Sequence, residues 1–176
     1  LIATGAEHRK LGVPGEEELS GKGISYCATC DGFFFKGKDV LMVGGGSTAL
    51  LYAVYLHNRD CNVKLIHRRD ELRGEKALQD QVRDLGIELI LDTVVEEFIG
   101  QDQLEKARIK NVKTGEIKEI DAAGTFIAIG EVPNNDTAEM LGLELDDEGF
   151  IKVDREMRTS VPGVFAAGDI TGGLKQ

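Results

Sequence analysis

The segment that decides the fold reads Asp39-Val40-Leu41-Met42-Val43-Gly44-Gly45-Gly46-Ser47-Thr48-Ala49. Its apolar run predicts a buried strand over residues 39–43. Apolar residues at helical spacing then predict a helix over residues 48–58, and a second apolar strand is predicted over residues 63–66. A strand, a glycine-rich turn, a helix and a second strand form a βαβ unit, in which the two strands are parallel.

The glycine turn has the residues that a dinucleotide-binding loop requires. Gly44 permits the tight turn, Gly46 lets the backbone approach a pyrophosphate, and Ala49 lets the helix pack closely on the strand. Ser47 and Thr48 stand at the start of the helix, whose N–H groups face phosphates. The context of strand before and helix after favours a nucleotide site, and the alternative is a turn that merely joins the two elements.

The remaining pattern extends the βαβ unit into an α/β domain. Residues 71–85 have helical spacing and end at Gly86, and the alternation over residues 93–120, with a turn at 113–116, predicts an antiparallel β-meander. The expected fold is a Rossmann-like dinucleotide-binding domain with a parallel sheet and an attached meander. Further elements are expected as strands at 1–5, 87–91, 125–129 and 164–167, a short helix at 136–141 and an extended piece at 149–153.

Composition excludes several classes of partner. The chain has 176 residues with 21 Lys and Arg against 31 Asp and Glu, a net charge of −10 that repels nucleic acids and anionic lipids. No apolar run approaches the roughly 20 residues of a membrane span. Three cysteines, two of them spaced C-x-x-C, are typical of cytosolic redox chemistry. We therefore expect a cytoplasmic protein without nucleic-acid or membrane partners.

A basic cluster follows the second strand of the βαβ unit. An NAD site usually has an acidic residue about 20 residues after the glycine loop, whereas the 2′-phosphate of NADPH needs cations. This chain has His67-Arg68-Arg69 there and Arg73 shortly after. Because guanidinium groups bind phosphate through bidentate hydrogen bonds, the cluster favours NADPH. The alternatives are a solvated basic stretch offset by Asp70 and Glu71 and, for His67, a packing role.

The close pair of cysteines lies in Cys27-Ala28-Thr29-Cys30-Asp31-Gly32. A C-x-x-C pair forms a small disulfide ring that thiolates open easily. The alternative is half of a zinc site, for which the sequence offers few further ligands, so we expect no metal. Asp31 could exchange the proton that dithiol chemistry requires or cap a helix, and Cys61 is expected to be a buried, inert thiol.

The combination of a nicotinamide site and a dithiol requires a further carrier. A nicotinamide delivers two electrons as hydride, while dithiol reduction proceeds through thiolates, so disulfide reductases commonly place a flavin between them. A flavin is therefore expected as a partner of this domain.

Four ordered motifs together resemble a known family, the low-molecular-weight thioredoxin reductases. They are the Cys27 to Gly32 segment, the Gly44 to Ala49 loop, His67-Arg68-Arg69-Asp70-Glu71-Leu72-Arg73, and Gly163-Val164-Phe165-Ala166-Ala167-Gly168-Asp169. The resemblance implies that the chain is the NADPH domain of a two-domain, homodimeric flavoenzyme. In that family electrons pass from NADPH through FAD to the thiol pair and on to thioredoxin. The alternative is a related flavoprotein that serves a peroxidase or another dithiol partner, or that uses another electron donor.

The resemblance also assigns roles to single residues. It implies that Cys30 faces the flavin, that Cys27 exchanges with thioredoxin and that Asp31 is the acid–base group. It also implies that the pyrophosphate of NADPH is lined by Gly44, Gly46, Ser47, Thr48 and Ala49, and that its 2′-phosphate side is bound by His67, Arg68, Arg69 and Arg73. The nicotinamide side would be contacted by Ile129 and Gly130. FAD would be contacted by Thr4, Gly5, Gly168 and Asp169. One departure is Leu50-Leu51-Tyr52, where the family commonly has glutamates, so the contacts of those carboxylates are not carried over.

The family's domain plan implies boundaries along this chain. Residues 1–8 and 161–176 would be crossovers to the FAD domain, and residues 9–160 the NADPH-binding domain. The glycine loop of the FAD domain, expected before Leu1, and the helix expected after Gln176 are not in the sequence. We therefore expect this chain alone to bind NADPH and to lack catalytic activity.

Overall fold

A computed structural model describes residues 1–172. The chain divides into two compact units: the large unit, Lys10–Ile129, and the small unit, Leu1–Arg9 together with the chain from Gly130 onward. The strands are β1 (Ala6–His8), β2 (Ile24–Ser25), β3 (Asp39–Val43), β4 (Asn62–Ile66), β5 (Glu88–Ile90), β6 (Thr93–Ile99), β7 (Lys106–Asn111), β8 (Ile117–Asp121), β9 (Gly124–Ile127) and β10 (Glu131–Pro133). The helices are α1 (Ala28–Asp31), α2 (Ser47–His57), α3 (Lys76–Asp84) and α4 (Asp136–Met140).

The large unit is built on a parallel sheet with the order β2-β9-β3-β4-β5. Val43 at the end of β3 lies opposite Ile66 and Ile127, so the carboxyl ends of three central strands meet at one edge. The expected α/β fold with a parallel sheet is confirmed. Ligands of open α/β sheets bind outside this edge, where the glycine turn also begins.

Two apolar layers cover the faces of the sheet. Met42 and Phe126 point into a core shared with α2 and α3, whereas Leu41 and Ile127 point into a core shared with the β6-β7-β8 meander. Strands that are buried on both faces require continuous apolar runs, which is the pattern of β3. The meander is antiparallel, as expected.

The small unit pairs β1 with β10 in an antiparallel ribbon. Its core is formed by Ile2, Ala138, Leu143, Ile151, Ala166 and Ile170. The second segment of this unit begins at Gly130. It belongs to the unit because it shares its core with Ile2, which lies far away in the sequence. Within residues 1–172, no helix is both long and apolar enough to cross a membrane.

Four sequence-predicted elements need correction. The helix expected over residues 71–85 begins only at Lys76, because the preceding residues bind the glycine turn. The strand expected at 125–129 is β9 and ends at Ile127. The strands expected at residues 1–5 and 164–167 are not formed: Ile2 makes a single bridge with Ala166, and Phe165 makes another with Arg158.

Candidate functional site

The glycine turn closes tightly between β3 and α2. Gly44 has a φ of +148°, and a Cβ atom there would collide with the carbonyl oxygen of Ala128 and lie 2.8 Å from Cβ of Ala49. Gly45 lies against the ring of His67, so a side chain at this position would also collide. The turn therefore depends on glycine at both positions and on a small residue at position 49.

Gly46, in contrast, faces open space. A Cβ atom built there would meet no atom of residues 1–172 within 4 Å. Gly46 is also the N-cap of α2, and no side chain caps this helix end. The first N–H groups of a helix lack partners within the helix and attract anions. Space and uncapped donors thus coincide at Gly46, Ser47 and Thr48, and this arrangement fits a pyrophosphate.

The segment before α3 lies directly on the glycine turn. The carbonyl oxygen of Gly45 accepts the N–H groups of Arg73 at 2.7 Å and Gly74 at 3.0 Å, and Ser47 Oγ accepts the N–H of Glu75 at 3.1 Å. Gly74 permits this approach, because a Cβ atom there would lie 2.8 Å from the Ser47 nitrogen. These bonds bring Arg73 beside the turn. The glycine at position 74 was the sequence signal that could have predicted this loop.

Three arginines follow β4 and have no acidic partner among residues 1–172. Arg68, Arg69 and Arg73 are exposed, and in the described part of the chain no ion pair involves them. Asp70, which the solvated-stretch alternative used to offset them, instead binds Lys113 of the meander at 2.8 Å. The hydrogen bond and charge of Lys113 hold the pKa of Asp70 below its usual range. The positive charge of the cluster is therefore available to a ligand.

His67 lies beneath the turn and is 8% exposed. Its Nε2 has no hydrogen-bond partner among residues 1–172. Burial lowers the pKa of His67, the contact with the Glu71 backbone opposes this shift, and the nearby arginines lower the pKa further. The ring is therefore neutral at pH 7, and it supports Gly45 from below, which agrees with the packing role considered for it.

Cys27 and Cys30 are joined in a disulfide at the start of α1. Cys27 is the N-cap of α1, and its Sγ accepts the N–H of Cys30 at 3.2 Å. Cys30 is exposed and Cys27 half-buried, so an incoming thiolate can approach this bond. Zinc would need both sulfurs as separate thiolates. An accessible disulfide of this kind fits a redox pair.

The disulfide segment is anchored on α2. Tyr55 donates a hydrogen bond from its hydroxyl to the carbonyl of Thr29 at 3.5 Å, and Gly32 is packed against Leu56 and Tyr55. Tyr55 is eight residues after Ser47, or about 12 Å along the helix axis. The glycine turn and the disulfide segment therefore lie near opposite ends of one helix.

Two further features surround the disulfide. Phe33 and Phe34 are each 61% exposed, with ring centroids 4.2 Å apart, and sequence reasoning missed them although they directly follow the motif. Cys61 is buried, as expected, and donates from Sγ to the Gly32 carbonyl at 3.7 Å. Burial raises the pKa of the Cys61 thiol, with Asp60 adding to the shift, so this thiol is a poor nucleophile.

The site therefore combines a nucleotide loop with an accessible disulfide, and a sequence profile agrees. The profile described as "Pyridine nucleotide-disulphide oxidoreductase" matches residues 1–176. The chain belongs to the pyridine nucleotide-disulphide oxidoreductase family. The curated relatives belong to one group within this family, the thioredoxin reductases. The chain is 45% identical to the thioredoxin reductase of Streptomyces coelicolor and 46% identical to that of Listeria monocytogenes, in each case over 97% of its length.

A solved structure of this family matches the fold as well. The thioredoxin reductase of T. acidophilum superposes with a TM-score of 0.88 at 40% identity over 98% of the chain. The resemblance to thioredoxin reductases is thus confirmed. The chain spans about half the length of these relatives: 53% and 54% of the two curated sequences and 57% of the solved chain.

Members of the family bind a flavin besides the nicotinamide, and the residues assigned to FAD lie in the small unit. Gly168 has a φ of +85°, no atom of residues 1–172 lies within 4 Å of its Cβ position, and the adjacent Asp169 is exposed, so both are available to a ligand. Thr4 donates its hydroxyl proton to the carbonyl of Asn134 at 2.7 Å, and Gly5 accepts the N–H of that residue. This set of residues fits a flavin contact.

The two residues assigned to the nicotinamide side lie where the units divide. Ile129 is the last residue of the large unit and packs, partly buried, on the core beneath the meander. Gly130 has a φ of +106°, and its carbonyl accepts the N–H of Arg9 at 2.9 Å within the small unit. A residue with a side chain would be strained at position 130.

Proposed function

We propose that this chain is the NADPH-binding and dithiol part of a thioredoxin reductase. In the complete protein, electrons would pass from NADPH through FAD to Cys27 and Cys30 and then to the disulfide of thioredoxin. We place the NADPH-binding part at Lys10–Ile129, because the glycine turn, the arginines and the disulfide all lie in this unit. Thr4, Gly5, Gly168 and Asp169 of the small unit would contact FAD.

The observation that carries the proposal is the position of two chemically distinct sites on α2. A nucleotide loop lies at the start of the helix, and a redox disulfide is packed near its other end. A nicotinamide gives up its electrons as hydride, whereas a disulfide is reduced to two thiolates, so a carrier is needed between the two sites. Bound FAD supplies the two-electron chemistry that joins nicotinamide to disulfide. The presence of both sites on one helix thus supports a flavoenzyme rather than direct reduction.

The arginine cluster supports NADPH as the nucleotide. Arg68, Arg69 and Arg73 present guanidinium groups without acidic partners among the described residues, and guanidinium binds phosphate bidentately. The carboxylate of Asp70, which would repel a 2′-phosphate, is held by Lys113. Leu51 is exposed in the second turn of α2, where family members commonly have a glutamate. Because leucine is uncharged, it adds no negative charge that would repel the 2′-phosphate.

A protein disulfide is the substrate that the surface favours. The exposed Phe33 and Phe34 rings follow the disulfide directly. Exposed aromatic pairs are typical of protein-binding surfaces, whereas a small disulfide would not need them. Thioredoxin is the substrate named in the relatives, and it is a protein with a redox disulfide.

The thiol pair would act by exchange. With both cysteines reduced, the Cys27 thiolate attacks the substrate disulfide, forms a mixed disulfide and releases one substrate sulfur, which takes a proton. The Cys30 thiolate then attacks the Cys27 sulfur, restores the Cys27–Cys30 bond and releases the second substrate sulfur. Two protons leave the cysteines and two reach the substrate, and we assign their transfer to Asp31.

The test uses the full-length protein with thioredoxin and either NADPH or NADH. We expect kcat/KM to favour NADPH, and we expect Arg68→Ala/Arg69→Ala to remove this preference while NADH activity persists. Arg83→Ala, which removes an exposed charge from α3, is the control and should keep the preference. An unchanged cofactor ratio in the double variant would contradict the NADPH assignment, and a protein inactive toward thioredoxin with both nucleotides would contradict the function.

A further inference from the structure

A buried serine connects the proposed proton carrier to the cysteine pair. Ser25 is the last residue of β2 and is 8% exposed. Its Oγ lies 2.6 Å from Oδ2 of Asp31 and accepts the backbone N–H of Cys27 at 3.0 Å. We infer that Ser25 is a positioning residue, which holds the carboxylate of Asp31 for proton transfer to and from the cysteine pair. This inference rests on the proposed function.

The Ser25 hydroxyl donates its proton to Asp31, as a comparison of its two possible acceptors shows. A serine hydroxyl has one proton, and its two neighbouring acceptors are Asp31 Oδ2 at 2.6 Å and the Cys27 carbonyl at 3.4 Å. The proton goes to the nearer, charged acceptor, because such bonds are shorter and stronger. A carboxylate has two oxygens, so Ser25 occupies one and leaves the other free for the exchanging proton.

The serine is itself held on a rigid support. Ser25 lies opposite Phe126 of β9, which is fully buried in the parallel sheet. The next residue, Tyr26, donates its hydroxyl proton to the buried Glu16 at 2.8 Å. The backbone of Ser25 is held in the sheet, and its hydroxyl is bonded to the Cys27 backbone. The side chain therefore has little freedom to move. The Asp31 carboxylate therefore keeps a defined position relative to the cysteines.

The side chain of Asp31 does not cap a helix. Asp31 is the N-cap of the short 3₁₀ turn at Gly32–Phe35, yet its side chain makes no capping hydrogen bond. The capping alternative for Asp31 is therefore wrong, and its carboxylate is committed to Ser25 instead. Acid–base catalysis requires a group at a fixed distance from the proton it moves.

The test is a double-mutant cycle in the full-length protein. The protein is reduced with dithiothreitol, freed of reductant and mixed with oxidised thioredoxin, and the single-turnover rate of exchange is measured without NADPH. We expect Ser25→Ala to slow exchange about tenfold, a part of the about 10²–10⁴-fold contribution of general acid–base catalysis. Asp31→Asn should be slower still, and adding Ser25→Ala to it should cause no further loss.

Further variants separate positioning from a general structural role. Ser25→Thr keeps the hydroxyl and should recover most of the rate, whereas Ser25→Gly, a second variant without the hydroxyl, should behave as Ser25→Ala. Ser20→Ala removes an exposed serine nearby and should react as wild type. NADPH affinity should be the same in all variants, because the nucleotide turn is at the other end of α2.

The outcomes distinguish the inference from the function on which it rests. Additive losses in Ser25→Ala and Asp31→Asn, or a wild-type rate in Ser25→Ala, would overturn the role of Ser25 alone. Failure of the reduced wild-type protein to exchange with thioredoxin would overturn the proposed function.

Discussion

Replacing Thr125 with valine is expected to stabilise the large unit. Thr125 lies in β9 at the centre of the parallel sheet and is 0% exposed, and its Oγ1 has no hydrogen-bond partner among residues 1–172. A buried hydroxyl without a partner costs about 1–3 kcal/mol. A methyl group in the same place removes this cost and fills the same space. We therefore expect Thr125→Val to raise the free energy of unfolding by about 1–2 kcal/mol.

The same substitution at Thr93 is the matched control. Thr93 is also buried, but its Oγ1 donates to the carbonyl of Leu91 at 2.8 Å. Thr93→Val loses this hydrogen bond and should lower the free energy of unfolding by about 1 kcal/mol. The two variants make an identical chemical change and differ in whether the hydroxyl is bonded. Opposite signs are therefore the expected result.

The assay is thermal unfolding of the 176-residue chain, followed by circular dichroism. For a chain of this length, 1 kcal/mol corresponds to a shift of about 2–4 °C in the melting temperature. Thr125→Val should melt above the wild type and Thr93→Val below it. If Thr125→Val melts as low as Thr93→Val, the Thr125 hydroxyl has a stabilising partner and the reasoning is refuted.

Two other predictions concern His67 and the exposed phenylalanines. Because burial holds the pKa of His67 below 6.5, its contribution to stability is fully present above pH 6.5 and is lost as the pH falls through the lowered value. The melting temperature should therefore drop less between pH 7.5 and 5.5 in His67→Asn than in wild type, and equal drops would contradict this. Phe33→Ser/Phe34→Ser should raise the KM for thioredoxin about tenfold and leave reduction of a small disulfide unchanged. Equal losses with both substrates would show that the rings have another role.

The elements that were predicted correctly depend on local sequence. β3, α2 and β4 follow each other as an apolar run, a glycine turn, a helical spacing and a second apolar run. Each pattern lies within a few residues, so the side chains that decide it are neighbours in the chain. The meander was predicted for the same reason, since its alternation and its turn are local.

The errors arose where distant residues compete with local pattern. Residues 71–75 have helical spacing, yet the backbone of Arg73 and Gly74 binds the carbonyl of Gly45 and delays α3 until Lys76. The segment around Phe165 is apolar, yet it finds only isolated bridge partners in the small unit. The Gly45 carbonyl and the bridge partners of the Phe165 segment could not be identified from the sequence, because it does not show which distant backbone groups meet.

For the candidate site, the sequence by itself determined the chemistry: two cysteines at C-x-x-C spacing, a glycine loop after a strand, and arginines after the next strand. These features could be recognised because residue type and spacing are given by the sequence alone. The tertiary structure alone decided which groups are available. It binds Asp70 to Lys113, 43 residues away, and leaves the arginines without acidic partners in the described chain. It also places Ser25 beside Asp31, because hydrogen bonds act over about 3 Å in space and not along the chain.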